Sequence, residues 1–370
     1  MTRTGYIELA ALSGVQMMAI AIWTVPLMRI LNAHGYATLA PYAYATSAVA
    51  AFTSPLLFGA VADRHVAPAV VMRWLALASA ACTALASLAI QEGWKPIFVL
   101  GLIQLYSFFA APTLSIANTI IFSKLRSSHR QFGPIRAVGT IGWIIGCLLI
   151  SALRQDASAS AGYTGAVVWL VLASLAFQHA ATPPSFAPPG NLARRLGWDA
   201  FSLLKHHDHR TVFITAALFS IPLAAFYPYS PIHLQDLGFH RTAALMSLGQ
   251  VTEVLSMLSL SFFFHRIRLK WIFAVGLAFG ALRYTFSALN TPAWLLAGIS
   301  LHGFTFAFFF ITSQIYLNER VDAAWRARAQ ALLSLMISGV GNLAGYLSVG
   351  FWWRACSPSG ATHWPKFWSW

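Results

Sequence analysis
The chain has 370 residues, of which 58% are apolar and only 9% charged, with a mean hydropathy of +0.64 and with 14 Trp and 27 Phe. That balance excludes an ordinary soluble domain and marks an all-α polytopic membrane protein. The formal charge of +14 is scattered in short basic groups between apolar runs, so no basic domain exists to carry a nucleic acid.

A helix needs about 20 apolar residues to cross the hydrocarbon layer. Such runs lie at 8–30, 37–60, 69–90, 96–121, 131–152, 162–181, 211–232, 243–264, 269–288, 292–317 and 327–351, eleven in all. The first follows a single early arginine, Arg3, and has no convincing small-residue cleavage site, so it reads as a spanning helix rather than a removed signal. Between the sixth and seventh runs the polar stretch from Ala181 to Arg210 carries Pro183, Pro184, Pro188 and Pro189, which break a continuous helix. Its later part fits a short amphipathic helix on the membrane surface. The expected organisation is an N-terminal six-helix bundle over 1–182, a cytoplasmic linker over 183–210, and a C-terminal bundle over 211–370 with five helices and an aromatic tail.

The basic residues test this division. With the N-terminus cytoplasmic, seventeen of the 24 Lys and Arg fall on the inner side, among them Arg64, Arg73, Lys124, Arg130, Arg194, Arg195, Lys205, Arg266, Arg268, Arg320 and Arg328. Arg29, Lys95, Arg154, Arg241, Arg354 and Lys366 fall outside, with Arg283 near the outer end of a helix. Every inner loop is basic, the pattern expected when positive charge sets orientation, and adding or removing one middle span would destroy it. Two helical sets joined by a cytoplasmic linker suit a secondary transporter with its solute site near the midplane between the halves. The repeated pore loop of a channel and the facing carboxylates of a membrane enzyme are both missing from the sequence.

In chain order, "FGAVADRH", Phe58 to His65, places small residues beside Asp63 and Arg64 at the cytoplasmic end of the second run, a gating or close-packing role for Gly59, Asp63 and Arg64. In the fourth run Gln104, Tyr106 and Asn118 are weaker cavity candidates. "RQFGPIRAVGTIGW", Arg130 to Trp143, puts Arg136 about 9 Å into the fifth run at 1.5 Å per residue. Arg136 and Thr140 are four apart and share a face that Trp143 adjoins. Of the ten acids, nine sit in loops or at helix ends; the tenth, Glu253, lies in the middle of "SLGQVTEVLSMLSL". A charge at the bilayer centre costs about 2.5–3.5 kcal/mol on insertion scales, so Glu253 must be protonated, paired or hydrated, and it is the default proton-coupling residue. Gln250, one turn earlier, shares its face and can bind a polar solute with it. Gly341 and Gly345, like Gly142 and Gly146, are close-packing pairs. "KHHDHR", Lys205 to Arg210, sits in a loop and is not taken as a metal site; no metal or other cofactor is expected. Cys82, Cys147 and Cys356 lie far apart and indicate no disulfide framework.

"FGPIRAVGTIGW", "SLGQVTEVLSM", "HGFTFAFFF" and "RARAQALLSLMISGVGNLAG" resemble, in that order, the fifth-, eighth-, tenth- and eleventh-helix motifs of the bacterial nucleoside:proton symporter family of the major facilitator superfamily. "SPLLFGAVADR" is similar to the superfamily's loop signature. The resemblance covers nearly the whole chain. It implies a major-facilitator-like two-bundle fold and proton-coupled nucleoside uptake by alternating access, in a monomer of the bacterial inner membrane surrounded by lipid. The solute contacts it implies fall on Arg136, Thr140, Trp143, Gln250 and Glu253, to which Tyr227 and Phe306 are added. The sequence departs from the family in two places. Where relatives read His-Gly, two residues, then Tyr-Asp, this chain has Phe306 and Ala307, without the hydroxyl and the second carboxylate. It also stops where a twelfth helix would begin, in a cluster of Trp364, Phe367, Trp368 and Trp370 that reads as interfacial. A transporter of a sugar or small organic acid, and a non-transporting receptor or degenerate remnant, are the competing readings.

Overall fold
A computed structural model describes residues 3–64, 66–124, 128–178, 198–264, 266–322, 325–358 and 360–369. The fold is all-α. Its helices are α1 (Arg3–Thr24), α2 (Leu27–Ala33), α3 (Ala40–Arg64), α4 (Pro68–Gln91), α5 (Pro96–Ala110), α6 (Thr113–Lys124), α7 (Ser128–Ala152) and α8 (Ser160–Gln178). After a short 3-10 turn (Trp198–Lys205) come α9 (His207–Leu223), α10 (Phe226–Asp236), α11 (Thr242–Met246), α12 (Leu248–Phe264), α13 (Leu269–Ala288) and α14 (Pro292–Thr305). The last are α15 (Thr312–Arg320), α16 (Arg326–Ser334), α17 (Asn342–Cys356) and α18 (Trp364–Trp368). Among the described residues, nine helical stretches are long and apolar enough to cross a membrane. Several runs are divided where the sequence withholds a backbone donor. Pro26 separates α1 from α2, Pro112 separates α5 from α6, and Pro222 lies just before the break between α9 and α10. Pro68, Pro96 and Pro292 instead stand at the first helical turn, where the missing N–H is harmless.

Packing divides the chain into two units, one of Met1–Pro189 with Arg241–Ser247, the other of Gly190–His240 with Leu248–Trp370. In the first unit α1 and α7 meet at glycine. A Cβ on Gly142 would fall on the backbone of Gly14, and one on Gly146 would lie 2.9 Å from the carbonyl of Met18. The assignment of Arg241–Ser247 to this unit has a polar cause. Asp156, 4% exposed, accepts from the backbone N–H of Ala243 at 2.7 Å and from the Ser151 hydroxyl at 2.9 Å. Ser151 Oγ in turn accepts from the N–H of Ala244 at 2.9 Å, and Arg29 donates to Thr242 Oγ1 at 2.9 Å. The first amide groups of α11, which have no intrahelical partner, are thus satisfied from α7 and the turn after it.

In the second unit the 3-10 turn Trp198–Lys205 buries Ala200 and Leu203 in an apolar cluster with Phe213, Phe309, Leu317 and Leu332. The half of the linker expected to lie on the membrane surface is therefore packed against protein at these residues. The earlier half, 179–197, lies outside the described residues. Of the aromatic tail, Trp364, Phe367 and Trp368 are internal rather than interfacial, and Trp370 lies outside the described residues. Trp364, Phe367 and Trp368 are buried, and the indole N–H groups of Trp364 and Trp368 donate to Asp236 Oδ2 and His233 Nδ1, both at 2.9 Å. An indole N–H carried into a packed interior needs an acceptor, and α10 supplies both.

Two outcomes follow from these contacts. Gly142→Ala is expected to lower thermal stability by about 1–3 kcal/mol through overpacking, whereas Gly101→Ala, where a Cβ meets nothing within 4 Å, leaves the melting temperature in detergent unchanged. Asp156→Ala is expected to cost about 1–2 kcal/mol and Asp156→Asn, which keeps an acceptor oxygen, clearly less; equal melting temperatures for the two variants would exclude the capping role.

Candidate functional site
In the first unit the candidate residues lie along α7. Arg136 is half-buried, and its Nη1 makes a long contact of 3.4 Å to the buried Thr140 Oγ1, so the four-residue spacing does place both on one face. Gly139 between them keeps the guanidinium close to the helix: a Cβ there would lie 2.9 Å from Ser13 Oγ and 3.4 Å from Arg136 Nη1. Trp143 follows one turn later, half-buried. Tyr106 stands apart from this set, buried between Trp23 and Trp169 in edge-on contacts at 6.1 and 6.2 Å. Gln104 donates to the carbonyl of Thr46 at 3.4 Å. Gly59, Asp63 and Arg64 are in α3, and their side chains lie outside the described residues.

In the second unit the site is built on α12 and its neighbours. Gln250, 3% exposed, donates through Nε2 to the Tyr227 hydroxyl at 3.0 Å. Its Oε1 is buried without a hydrogen-bond partner among the described residues, an unmet acceptor of the kind that a bound solute satisfies. Glu253 is buried one turn further along the same helix. A close crossing holds this helix against α14. A Cβ on Gly303 would fall on the backbone N of Glu253 and the backbone C of Thr252, and Thr252 Oγ1 donates to the Ser300 carbonyl at 2.5 Å. The backbone carrying Glu253 therefore lies directly on α14, in a position that requires glycine at 303.

The segment that carries Phe306 and Ala307, Phe306–Ile311, is a π-helix between α14 and α15. Such wide turns are frequent at functional positions because they shift the side-chain register within a helix. Phe306 is half-buried near His302 (6.2 Å) and Phe310 (5.7 Å). Ala307 is fully buried in an apolar cluster with Leu260, Ile272 and Phe308, so the carboxylate expected of relatives has only hydrocarbon in its place. A second π-helix, Leu335–Gly341, precedes α17. There Gly341 and Gly345 face α9, with would-be Cβ atoms 2.5 Å from the Ala217 carbonyl and 2.6 Å from the Ala224 Cβ.

The sequence reading missed a further pair. Arg283, assigned to the outer end of a helix, is 2% exposed, with Nη1 2.9 Å from His302 Nδ1 and its guanidinium 4.2 Å over the Phe226 ring. The correction has a physical basis. Counted along the helix, position 283 is near an end, but α10 and α14 enclose it. The signal that singled out Arg136, a lone arginine within an apolar run, was equally present at 283. Among the described residues no group of three or more His, Cys, Asp or Glu could hold a metal ion.

A family model described as "Nucleoside H+ symporter" matches residues 4–370. The chain is 32% identical over 338 residues to the "Putative nucleoside transporter YegT" of Escherichia coli (strain K12), covering 88% of this chain and 79% of that protein. It is 26% identical over 346 residues to the nucleoside permease NupG of the same organism, covering 88% and 82%. In fold it is similar to the crystal structure of NupG, with a TM-score of 0.85 at 24% identity over 98% of this chain and 94% of that one.

The α12–α14 crossing makes a direct test available. Gly303→Ala is expected to displace the backbone at Glu253, lowering both melting temperature and solute affinity, by about 1–3 kcal/mol in stability. A variant with wild-type values of both would show that the crossing is looser than described.

Proposed function
The chain belongs to the nucleoside H+ symporter family of secondary transporters, and on that premise we propose that its solutes are nucleosides, carried into the cell by alternating access and coupled to protons. The observation that carries this reading is the polar face of α12. The Gln250 amide is tied to Tyr227, its carbonyl oxygen awaits a donor, and a buried carboxylate follows one turn later. A hydroxylated, base-bearing solute supplies such a donor. Arg136 and Thr140 on α7, with Trp143, offer a second polar and aromatic face. A guanidinium brings five donors for a ribose hydroxyl or a base carbonyl, and an indole stacks on a base. Tyr227 and Phe306 complete the contacts in this reading.

Coupling is assigned to Glu253. The relatives' second carboxylate has no counterpart at Ala307, so α12 carries the proton chemistry. We read eleven spans, the nine long apolar stretches together with α3 and α8, arranged as a six-helix bundle over 1–182 and a C-terminal bundle over 211–370 joined by a cytoplasmic linker. The N-terminus is placed on the cytoplasmic side of an inner membrane by its basic loops, and the working unit is a monomer.

Uptake of labelled uridine or adenosine into proteoliposomes, with and without an inward proton gradient, is the test. Gradient-driven accumulation is expected, and its absence for every nucleoside in a folded preparation would refute the reading. Glu253→Gln should keep solute binding within about threefold and abolish accumulation driven by the gradient; unchanged accumulation would remove Glu253 from coupling. Arg136→Ala should insert with unaltered topology by cysteine accessibility yet bind uridine about tenfold more weakly, as for a lost hydrogen bond to a charged group.

A further inference from the structure
Arg283 and His302 form a buried pair in the second unit to which the proposed transport cycle gives no task. A guanidinium has only donors, so at 2.9 Å from Arg283 Nη1 the Nδ1 of His302 is the acceptor. The proton of the neutral imidazole then resides on Nε2, because the hydrogen bond made by one ring nitrogen selects the tautomer of the other. The ring is also fixed in orientation. It stacks on Phe226 at 4.3 Å with an interplanar angle of 16° and stands across Tyr227 at 5.9 Å and 79°. The same Phe226 ring takes the Arg283 guanidinium at 4.2 Å, so one aromatic side chain seats both members of the pair.

The His302 ring meets Arg283 through Nδ1, which leaves Nε2 as the nitrogen that carries the ring's N–H donor. The unmet acceptor of the second unit, Gln250 Oε1, lies in the same neighbourhood. Tyr227 touches both residues, and a Cβ on Gly249 would lie 3.1 Å from His302 Cβ and 3.2 Å from its Cδ2. A fixed donor and a fixed acceptor are thus gathered around one tyrosine.

We propose that His302 Nε2–H is a solute donor and that Arg283 is a positioning residue that holds the imidazole in the donating tautomer. With Gln250 Oε1, this pair reads a solute edge in which an acceptor stands beside an N–H donor. That edge chemistry is found on nucleobases, and the solute named here rests on the nucleoside reading above. Selectivity then arises because a solute lacking either group leaves a buried partner unmatched.

The test uses the full chain in lipid nanodiscs, with uridine as the probe. His302→Phe is expected to weaken uridine binding about tenfold, whereas His302→Gln, whose amide N–H replaces Nε2–H, stays within about threefold. Arg283→Gln removes the constraint on the tautomer, because an amide both donates and accepts, and is expected to weaken binding about fivefold. In the His302→Gln background the same Arg283 change should add little, since no tautomer remains to be chosen. An equal loss in both backgrounds makes Arg283 merely structural and overturns its role. Equal affinity of His302→Phe and wild type overturns the donor assignment. Nitrogen-15 spectra of histidine-labelled, solute-free wild type, with the His302 signal identified by its loss in His302→Gln, should report a bare Nδ1 and a protonated Nε2. A protonated Nδ1 overturns the proposal. Wild type that binds no nucleoside overturns the nucleoside reading and the solute named here, while the spectrum still decides the tautomer separately.

Discussion

Hydrocarbon offers no hydrogen-bond partner, so each polar group placed among these helices must find one inside the protein or in a solute. Much of the local structure answers to that constraint. Hydroxyls turn back onto their own helix, as Thr83 does to the Ser79 carbonyl, Ser220 to Ala216 and Ser256 to Thr252. The first amides of α11, which have no intrahelical partner, are met by Asp156 and Ser151, and the indoles of α18 by Asp236 and His233. His233 extends the chain, accepting from Trp368 at Nδ1 and so donating from Nε2 to Asn290 Oδ1 at 2.8 Å. Among the buried side-chain atoms without a hydrogen-bond partner among the described residues, which include Ser79 Oγ, Ser87 Oγ and the Tyr229 hydroxyl, Gln250 Oε1 is the one that can only accept.

Matching polar groups requires helices to approach closely, and glycine sets how closely. At Gly142 and Gly303 the neighbouring backbone occupies the space a side chain would need. Gly276 does the same for the wide turn at Phe308 and Phe309, whose backbone atoms lie 2.9 Å from a would-be Cβ. The backbone at Glu253 is thus held by main-chain contact with α14, and the π-helix that follows α14 is buttressed from α13. Rigid support of this kind allows a donor and an acceptor to keep their spacing without solute present.

The Ala307 segment shows how the chemistry of the second unit is distributed. The space around Ala307 is filled by Leu260, Ile272 and Phe308, and a carboxylate there would be desolvated without compensation. Polar character lies instead on Gln250 and Glu253 of α12, Arg283 of α13 and His302 of α14. The cation of Arg283 is accommodated by an aromatic face and an imidazole nitrogen, which shield it from lipid while leaving its donors directed at His302.

Much of this was legible in the residues themselves. Apolar runs of membrane length and the prolines that divide or begin helices are local properties, and they specify helices without reference to any neighbour. The i, i+4 pairing of Arg136 with Thr140 and the one-turn spacing of Gln250 and Glu253 are equally local, because helical geometry places them. The remainder depended on which helices touch. Arg241–Ser247 packs with the first unit because Asp156 and Ser151 reach its amides, a contact across nearly ninety residues. Trp364 and Trp368, read as interfacial from composition, are buried because Asp236 and His233 accept hydrogen bonds from their indole N–H groups. Arg283 appeared peripheral by its distance along a helix, yet α10 and α14 enclose it. An amphipathic or charged residue carries the same sequence signal at an interface and in a packed interior; only the tertiary structure supplies the partner that makes burial affordable in free energy.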